Sequence, residues 1–204
     1  MTKSVRTIAD RRIADDVAFA VLAAGSAMRF GGGKLDAPLR GRPLGRWATD
    51  AVEAAGAVAR LLVVGLRPPA FAARLEEWTV VGNPDAARGI GTSIAAAVAA
   101  AAGRARLVIA LADMPFVTAD HLGRLARGEG MVFTRQADGR PGVPAAFPAS
   151  VFRHLLDLPP DRGAAHLART VPAAMIDPPN AAIRIDIDTQ ADMARWQDGG
   201  SVRA

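Results

Sequence analysis

Apolar residues in this chain come in short blocks parted by polar turns, and the blocks alternate between two periods. Val17-Ala-Phe-Ala-Val-Leu22 is apolar on both faces, the pattern of a strand buried inside a parallel sheet. Residues 60–65 and 106–112 repeat it, the latter as the most hydrophobic strand, and 78–81 gives a shorter version. Between these blocks the spacing turns helical. Helices are predicted over 43–55, stopped by Gly56, over 69–77, over the small-residue run 93–102, and over 118–127 with Thr118 as N-cap. Beyond residue 130 the pattern is mixed: strands at 131–134 and 143–147, two short helices, a strand near 183–187 and a last helix from Gln190. Strands alternating with helices predict an α/β fold whose mostly parallel sheet is covered on both faces. In such sheets ligands sit beyond the carboxyl ends of the strands, so the loops there are where chemistry is sought.

Composition narrows the picture. Of the 204 residues half are hydrophobic, enough for one core and too many for global disorder. Residues 1–15 are polar and aperiodic and read as a flexible leader, 16–198 as a single domain and 199–204 as a tail. Cysteine is absent, which excludes disulfides, thiolate metal sites and cysteine nucleophiles and suits a reducing compartment. No apolar run approaches the ~18 residues that span a bilayer. Arg11-Arg12 followed by an apolar stretch imitates an export signal, but Asp15 and Asp16 interrupt it, so a cytoplasmic protein with no membrane partner is expected.

Charge adds a direction. The formal net charge of +5 favours anionic partners, yet the cations are dispersed and aromatics make up only 5%, so nucleic acid is not expected among them. Only Lys3 and Lys34 are lysines; every other cation is arginine, which makes Lys34 stand out. It closes the loop Ala23-Ala-Gly-Ser-Ala-Met-Arg-Phe-Gly-Gly-Gly-Lys34, where Gly25, Gly31, Gly32 and Gly33 accompany Ser26 and Arg29. Glycines let backbone N–H groups approach an anion, and the two cations neutralise it, so the loop reads as a polyphosphate cradle. It is not a P-loop, because Leu35 follows the lysine, and it contains no G-x-G-x-x-G. Asp113, at the carboxyl end of the most hydrophobic strand, is placed either to hold Mg²⁺ or to cap a turn. Asp186-Ile-Asp188-Thr189 puts two carboxylates on one face of a strand; a capping role accounts for Thr189 and Asp188 but not for Asp186. His121, His154 and His166 lack metal-ligand spacing and read as packing or surface residues, and Ser26 and Ser93 have no triad context.

Taken together, Leu22-Ala-Ala-Gly-Ser-Ala-Met-Arg-Phe-Gly-Gly-Gly-Lys34 resembles the signature loop of the MobA-like nucleotidyltransferases. Within that family it is most similar to the molybdenum cofactor cytidylyltransferases. The resemblance runs from about 17 to 197 and is carried also by Asn83-Pro-Asp-Ala-Ala-Arg-Gly89 leading to Ser93, Leu111-Ala-Asp-Met-Pro115, Gly139-Arg-Pro-Gly-Val-Pro144, Asp161-Arg-Gly-Ala164 and Asp186-Ile-Asp-Thr189. It implies a Rossmann-like, three-layer nucleotidyltransferase fold. It further implies that Leu22, Ala23, Ala24, Gly25, Ser26, Arg29 and Lys34 bind the nucleotide, with Asn83, Gly89 and Ser93 beside it. Arg29, Lys34 and Asp113 become the catalytic set, Gly142 and Pro144 the pterin side, and Asp113 the Mg²⁺ ligand, joined by Asp186 in preference to Asp188.

The implied reaction is CMP transfer from CTP to the terminal phosphate of molybdopterin, with a recipient molybdoenzyme as a further candidate partner. Ala23-Ala24-Gly25 resembles the cytidylyl type, whereas guanylyl relatives carry two glycines after Leu-Ala. Guanylyl transfer, or transfer to another small phosphate, stays open, as does a non-catalytic cofactor carrier or insertion chaperone, against which Arg29, Lys34 and Asp113 argue. A phosphomonoester is already mostly dianionic near neutrality and attacks without a general base, which fits the missing His, Ser or Cys nucleophile. Two features depart from the family pattern: Asp36, where an apolar residue is usual, and Pro159-Pro160 in place of the usual small polar pair before Asp161.

Overall fold

The computed structural model describes residues 13–25 and 27–197; most of the expected leader, the expected tail and Ser26 lie outside them. Within the expected leader, Ile13 is buried in the core. The strands are β1 (Val17–Ala23), β2 (Pro38–Leu39), β3 (Arg42–Pro43), β4 (Ala59–Val64), β5 (Thr79–Gly82), β6 (Arg106–Leu111), β7 (Met131–Arg135), β8 (Pro141–Pro148) and β9 (Ala173–Ile176). The helices are α1 (Leu44–Ala54), α2 (Ile90–Ala100), α3 (Ala119–Arg127), α4 (Phe152–Leu156) and α5 (Gln190–Gln197). Seven strands form one sheet in the order β5-β4-β1-β6-β8-β7-β9, while β2 and β3 make a small hairpin. All neighbours in the large sheet are parallel except at β8, which runs against both β6 and β7.

Alternation along β1 explains the three layers. Phe19 and Val21 face one side, where they join Ala48 and Val52 of α1 and Leu122 and Leu125 of α3. Ala20 and Leu22 face the other, against Ile94, Ala97 and Val98 of α2 and Leu155 of α4. A strand with both faces covered must be apolar throughout, which is why its period vanishes in the sequence. Thr118 caps α3 as expected, its side chain accepting from the His121 amide. The Rossmann-like α/β architecture is therefore present.

Three elements differ from expectation. The helix expected over 69–77 is only a 3-10 turn, Ala70–Arg74. Pro68-Pro69 hold the preceding backbone extended, and only Phe71 and Ala72 are buried, too short a stripe to seat a helix. The strand near 183–187 is instead a 3-10 turn, Ala181–Arg184, followed by irregular chain, so Asp186 and Asp188 do not share a strand face. Ile183 enters the main core while Ile187 enters a separate cluster with Phe30 and Trp196, and that division pulls the segment out of strand register. Edge strand β9 went unread because its two alanines are exposed and give no alternation.

Candidate active site

In the large sheet β4 and β5 lie to one side of β1, and the strands from β6 onward lie to the other. Loops leaving the carboxyl ends of β1 and β6 therefore diverge, and a crevice opens between them. Its width is fixed at the base by Ala112 N–H donating to the Leu22 carbonyl at 3.0 Å. The crevice has a volume of about 940 Å³ and is lined by Leu22, Ala23, Ala24, Gly25, Gly32, Gly33, Lys34, Gly89, Ser93 and Asp113. Most of the residues expected to bind nucleotide thus meet in one place. Leu66 and Arg67, on the loop after β4, also line it, and no sequence pattern pointed to them.

The first loop earns its shape from three consecutive glycines at φ +93, +95 and +62°, conformations that L side chains rarely adopt. Phe30 holds the loop from below: it is buried against Leu39, Leu44, Ile187, Met193 and Trp196, and its carbonyl accepts from Gln190 Nε2 at 3.2 Å. That anchoring by α5 was not legible, since residues 160 apart share no local pattern. Asp36 departs from the family pattern for a visible reason. Its carboxylate accepts from the amides of Ala70 and Phe71 at 2.8 and 2.9 Å, capping the turn that replaces the expected helix.

Lys34 and Asp113 line the crevice, while Arg29 and Asp188, outside its lining, join them through ion pairs. Lys34 is 8% exposed, and its Nζ donates to Asp113 Oδ2 at 2.7 Å and to Asp188 Oδ1 at 3.2 Å. Arg29, whose side chain is 78% exposed, reaches the other oxygen of Asp188 at 3.1 Å. Asp188 is itself held by Asp192, which accepts from the Asp188 and Thr189 amides and the Thr189 hydroxyl. The Thr189 hydroxyl bond is the main reason the Asp192 carboxyl titrates lower than usual. Asp186 makes no ion pair among the described residues. Its pKa is raised, first by burial and then by the Asp188 and Asp113 charges, against a hydrogen bond from its own backbone amide and a weaker pull from Lys34.

A metal can be accommodated here. Asp113 Oδ1 is buried without a hydrogen-bond partner, an acceptor waiting for a cation. No preformed cluster of three or more ligands occurs among the described residues. That suits Mg²⁺ or a similar ion, which takes one or two carboxylates and completes its shell with phosphates and water.

Asn83, Gly89 and Ser93 shape the far wall. Asn83 is buried and does not line the crevice; its amide donates to Thr92 Oγ1 and Ser93 Oγ, both at 2.9 Å, and its carbonyl accepts from Asp85 N–H. It fixes Ser93 from behind. Gly89 has φ +129°, and a Cβ there would stand 2.4 Å from the Pro160 carbonyl oxygen. That oxygen accepts from Gly91 N–H at 2.8 Å, so Pro159-Pro160, the second departure from the family pattern, seals the start of α2. Gly89→Ala combines backbone strain with a clash against rigid backbone and is expected to cost about 2 kcal/mol of stability. Urea unfolding measures it, and an unchanged midpoint would show the Pro160 contact to be slack.

Gly142 and Pro144 stand outside the crevice, in the first half of β8, at the same end of the sheet as Asp113. Gln136 occupies the space a Gly142 side chain would take and donates to the Val143 carbonyl at 3.3 Å. The Pro144 carbonyl accepts from the Thr134 hydroxyl at 2.6 Å, which leaves His121 Nε2–H to donate to Thr134 at 2.7 Å. Burial, with help from Arg124, lowers the His121 pKa to about 4 and keeps this buried imidazole neutral. It packs, as expected.

Comparison with known proteins bears on the same residues. The sequence matches the MobA-like NTP transferase domain over residues 19–175. The nicotine blue oxidoreductase of Paenarthrobacter nicotinovorans is 36% identical over 108 residues, which are 52% of this chain and 53% of that protein. The chain thus spans about half the length of the curated relative it matches. Among solved structures, Rv0371c from Mycobacterium tuberculosis H37Rv has a TM-score of 0.76 at 27% identity, covering 90% of this chain and 97% of that one. The manganese complex of Rv0371c has a TM-score of 0.69 at 26% identity, covering 90% and 98%.

Proposed function

Since the chain belongs to the MobA-like NTP transferase domain family, a family of nucleotidyltransferases, we propose that it moves CMP from CTP onto the terminal phosphate of molybdopterin and releases pyrophosphate. The single observation that carries this reading is the cluster of Lys34 and Arg29 with Asp113 and Asp188 at the mouth of a glycine-rich loop. Cations held by carboxylates can be handed to a triphosphate, and a freed carboxylate can take a metal. The preference for CTP rests on Ala23-Ala24-Gly25. Action in the cytoplasm and delivery to a recipient molybdoenzyme belong to the same proposal; no helix among the described residues is long and apolar enough to cross a membrane.

Mg²⁺, held by Asp113 with Asp186 as second ligand, would supply charge stabilisation at the α-phosphate. The chain does the rest. Backbone amides of the first loop and the side chains of Lys34 and Arg29 hold the β- and γ-phosphates in line with the bond that breaks. An acceptor phosphate oxygen forms the new bond to the α-phosphorus while the bridging oxygen departs with pyrophosphate, so no protein nucleophile is used. Asn83 acts as a positioning residue, through Ser93.

Calorimetric titration with CTP, GTP, ATP, UTP and NADH, with and without Mg²⁺, tests the reading. Tightest binding is expected for CTP, strengthened by Mg²⁺. Preference for GTP would move the chain to guanylyl transfer. NADH binding in place of every triphosphate would overturn transfer in favour of redox chemistry, the class that the curated relative's name denotes.

A further inference from the structure

The two loops that wall the crevice are joined at its base by the Ala112–Leu22 hydrogen bond, and beyond it they diverge. Across the mouth the Lys34 ammonium links them through Asp113. That link must open in the reaction proposed above, when Lys34 turns to phosphate oxygens and Asp113 to a metal. A second link lies outside the crevice lining, in the segment 187–197. At its start Ile187 N–H donates to the Asp113 carbonyl at 2.9 Å. Further along, Gln190 Nε2 donates at 3.2 Å to the carbonyl of Phe30, next to Gly31 in the glycine-rich loop. Near its end the Trp196 ring meets Phe116, just past Asp113 in the chain, with centroids 4.9 Å apart.

Packing of α5 gives this link its stiffness. The buried residues of the helix, Met193 and Trp196, join the cluster around Phe30 and enter neither of the clusters that flank the sheet. Phe116 packs against that same small cluster, so one apolar body touches both loops. Arg40 fastens the far end: its Nε donates to the Trp196 carbonyl at 3.0 Å, and its guanidinium lies 5.6 Å from the Phe116 ring centroid. The helix therefore adds no buried side chain to the sheet's own cores. What it fixes is the separation of Phe30 from Phe116.

Resting on the nucleotidyl-transfer reading above, we infer that Trp196 and Gln190 are positioning residues that set the distance between the triphosphate loop and the metal-binding carboxylate. A metal–nucleotide complex touches both walls at once, its phosphates on the first loop and its metal on Asp113. Both contacts form together only when the walls are held at the matching separation, and a misplacement of about 1 Å set far from the chemistry is enough to lose the benefit. A triphosphate without metal needs the first loop alone. The segment is thus felt in the cooperation between metal and nucleotide, and hardly in the hold on the nucleotide itself.

The test titrates the triphosphate that wild type binds best, expected to be CTP, with and without Mg²⁺. Wild type is expected to gain roughly tenfold in affinity from Mg²⁺, the scale of one charged contact. Trp196→Ala should keep its metal-free affinity within about twofold and lose most of that gain. Trp196→Phe, which keeps a ring against Phe116, should recover it. Gln190→Met, similar in length but without a donor, should lose part of the gain. An equal loss with and without Mg²⁺ in Trp196→Ala would mean that the helix only shapes the first loop, and it overturns the inference, as does an undiminished gain. Should Trp196→Ala unfold, as thermal unfolding would reveal, Gln190→Met decides alone, and a full gain in that variant counts against the inference. A wild type that binds a triphosphate but gains nothing from Mg²⁺ also overturns it, with nucleotide binding left standing. If no triphosphate binds at all, nucleotidyl transfer fails first and takes this inference with it.

Discussion

Asp113→Ala is expected to lose Mg²⁺-dependent pyrophosphate release by at least a thousandfold, on the order of removing the main charge-stabilising group of a transfer site. Two features set the size of that effect. Asp113 lies just past the carboxyl end of β6, lines the crevice, and is fixed there by its own carbonyl, which accepts from Ile187 N–H at 2.9 Å. Its Oδ1 is buried without a partner, so the cost of holding that oxygen away from water is already met in the resting protein. The fold should survive, because Lys34 keeps Asp188 at 3.2 Å after Asp113 is gone and is not left as an unpaired buried charge. Asp113→Asn separates charge from shape and should be nearly as inactive. Near-normal pyrophosphate release by either variant, with either Mg²⁺ or Mn²⁺, would remove Asp113 from the metal site. Metal-dependent nucleotide binding with no release in wild type, with molybdopterin present, would instead favour the carrier or chaperone.

What the sequence made legible follows from which interactions are local. Strand β6 announces itself because five consecutive residues, 107–111, are apolar, and the loop after β1 because three glycines at positive φ leave no substitute. Asp113 stands out for the same reason: a carboxylate abutting an apolar strand reads either as a metal ligand or as a turn cap. The roles of Asp186 and Asp188 were harder to separate. Counting by twos puts them on one face, but Ile183 and Ile187 are drawn into different clusters, and Asp188 alone meets the cations. Asp36 and Pro160 look like blemishes in the family pattern until their partners, Phe71 and Gly91, are brought up from elsewhere in the chain.

Lys34→Ala should separate two quantities that most active-site substitutions move together. Turnover is expected to fall by about 3 kcal/mol of transition-state stabilisation, a little over a hundredfold, as when one preorganised donor is removed from a developing oxyanion. Metal affinity without nucleotide should rise. In the resting site the Lys34 ammonium occupies Asp113 Oδ2 at 2.7 Å, so an incoming cation must displace it. Without Lys34, Asp113 loses its cation, Asp188 keeps only the exposed Arg29, and Asp186 stands near both, which favours a divalent ion by several-fold. Lys34→Arg should not restore turnover fully. The site is 8% exposed and shaped around a point charge donating to two carboxylates, and a planar fork cannot match both directions. Pyrophosphate release and Mn²⁺ titration on the same preparations read both effects. A fully active arginine variant would mean that only charge is required at this position. Weaker metal binding in Lys34→Ala would mean that the lysine organises the carboxylates rather than competing for them.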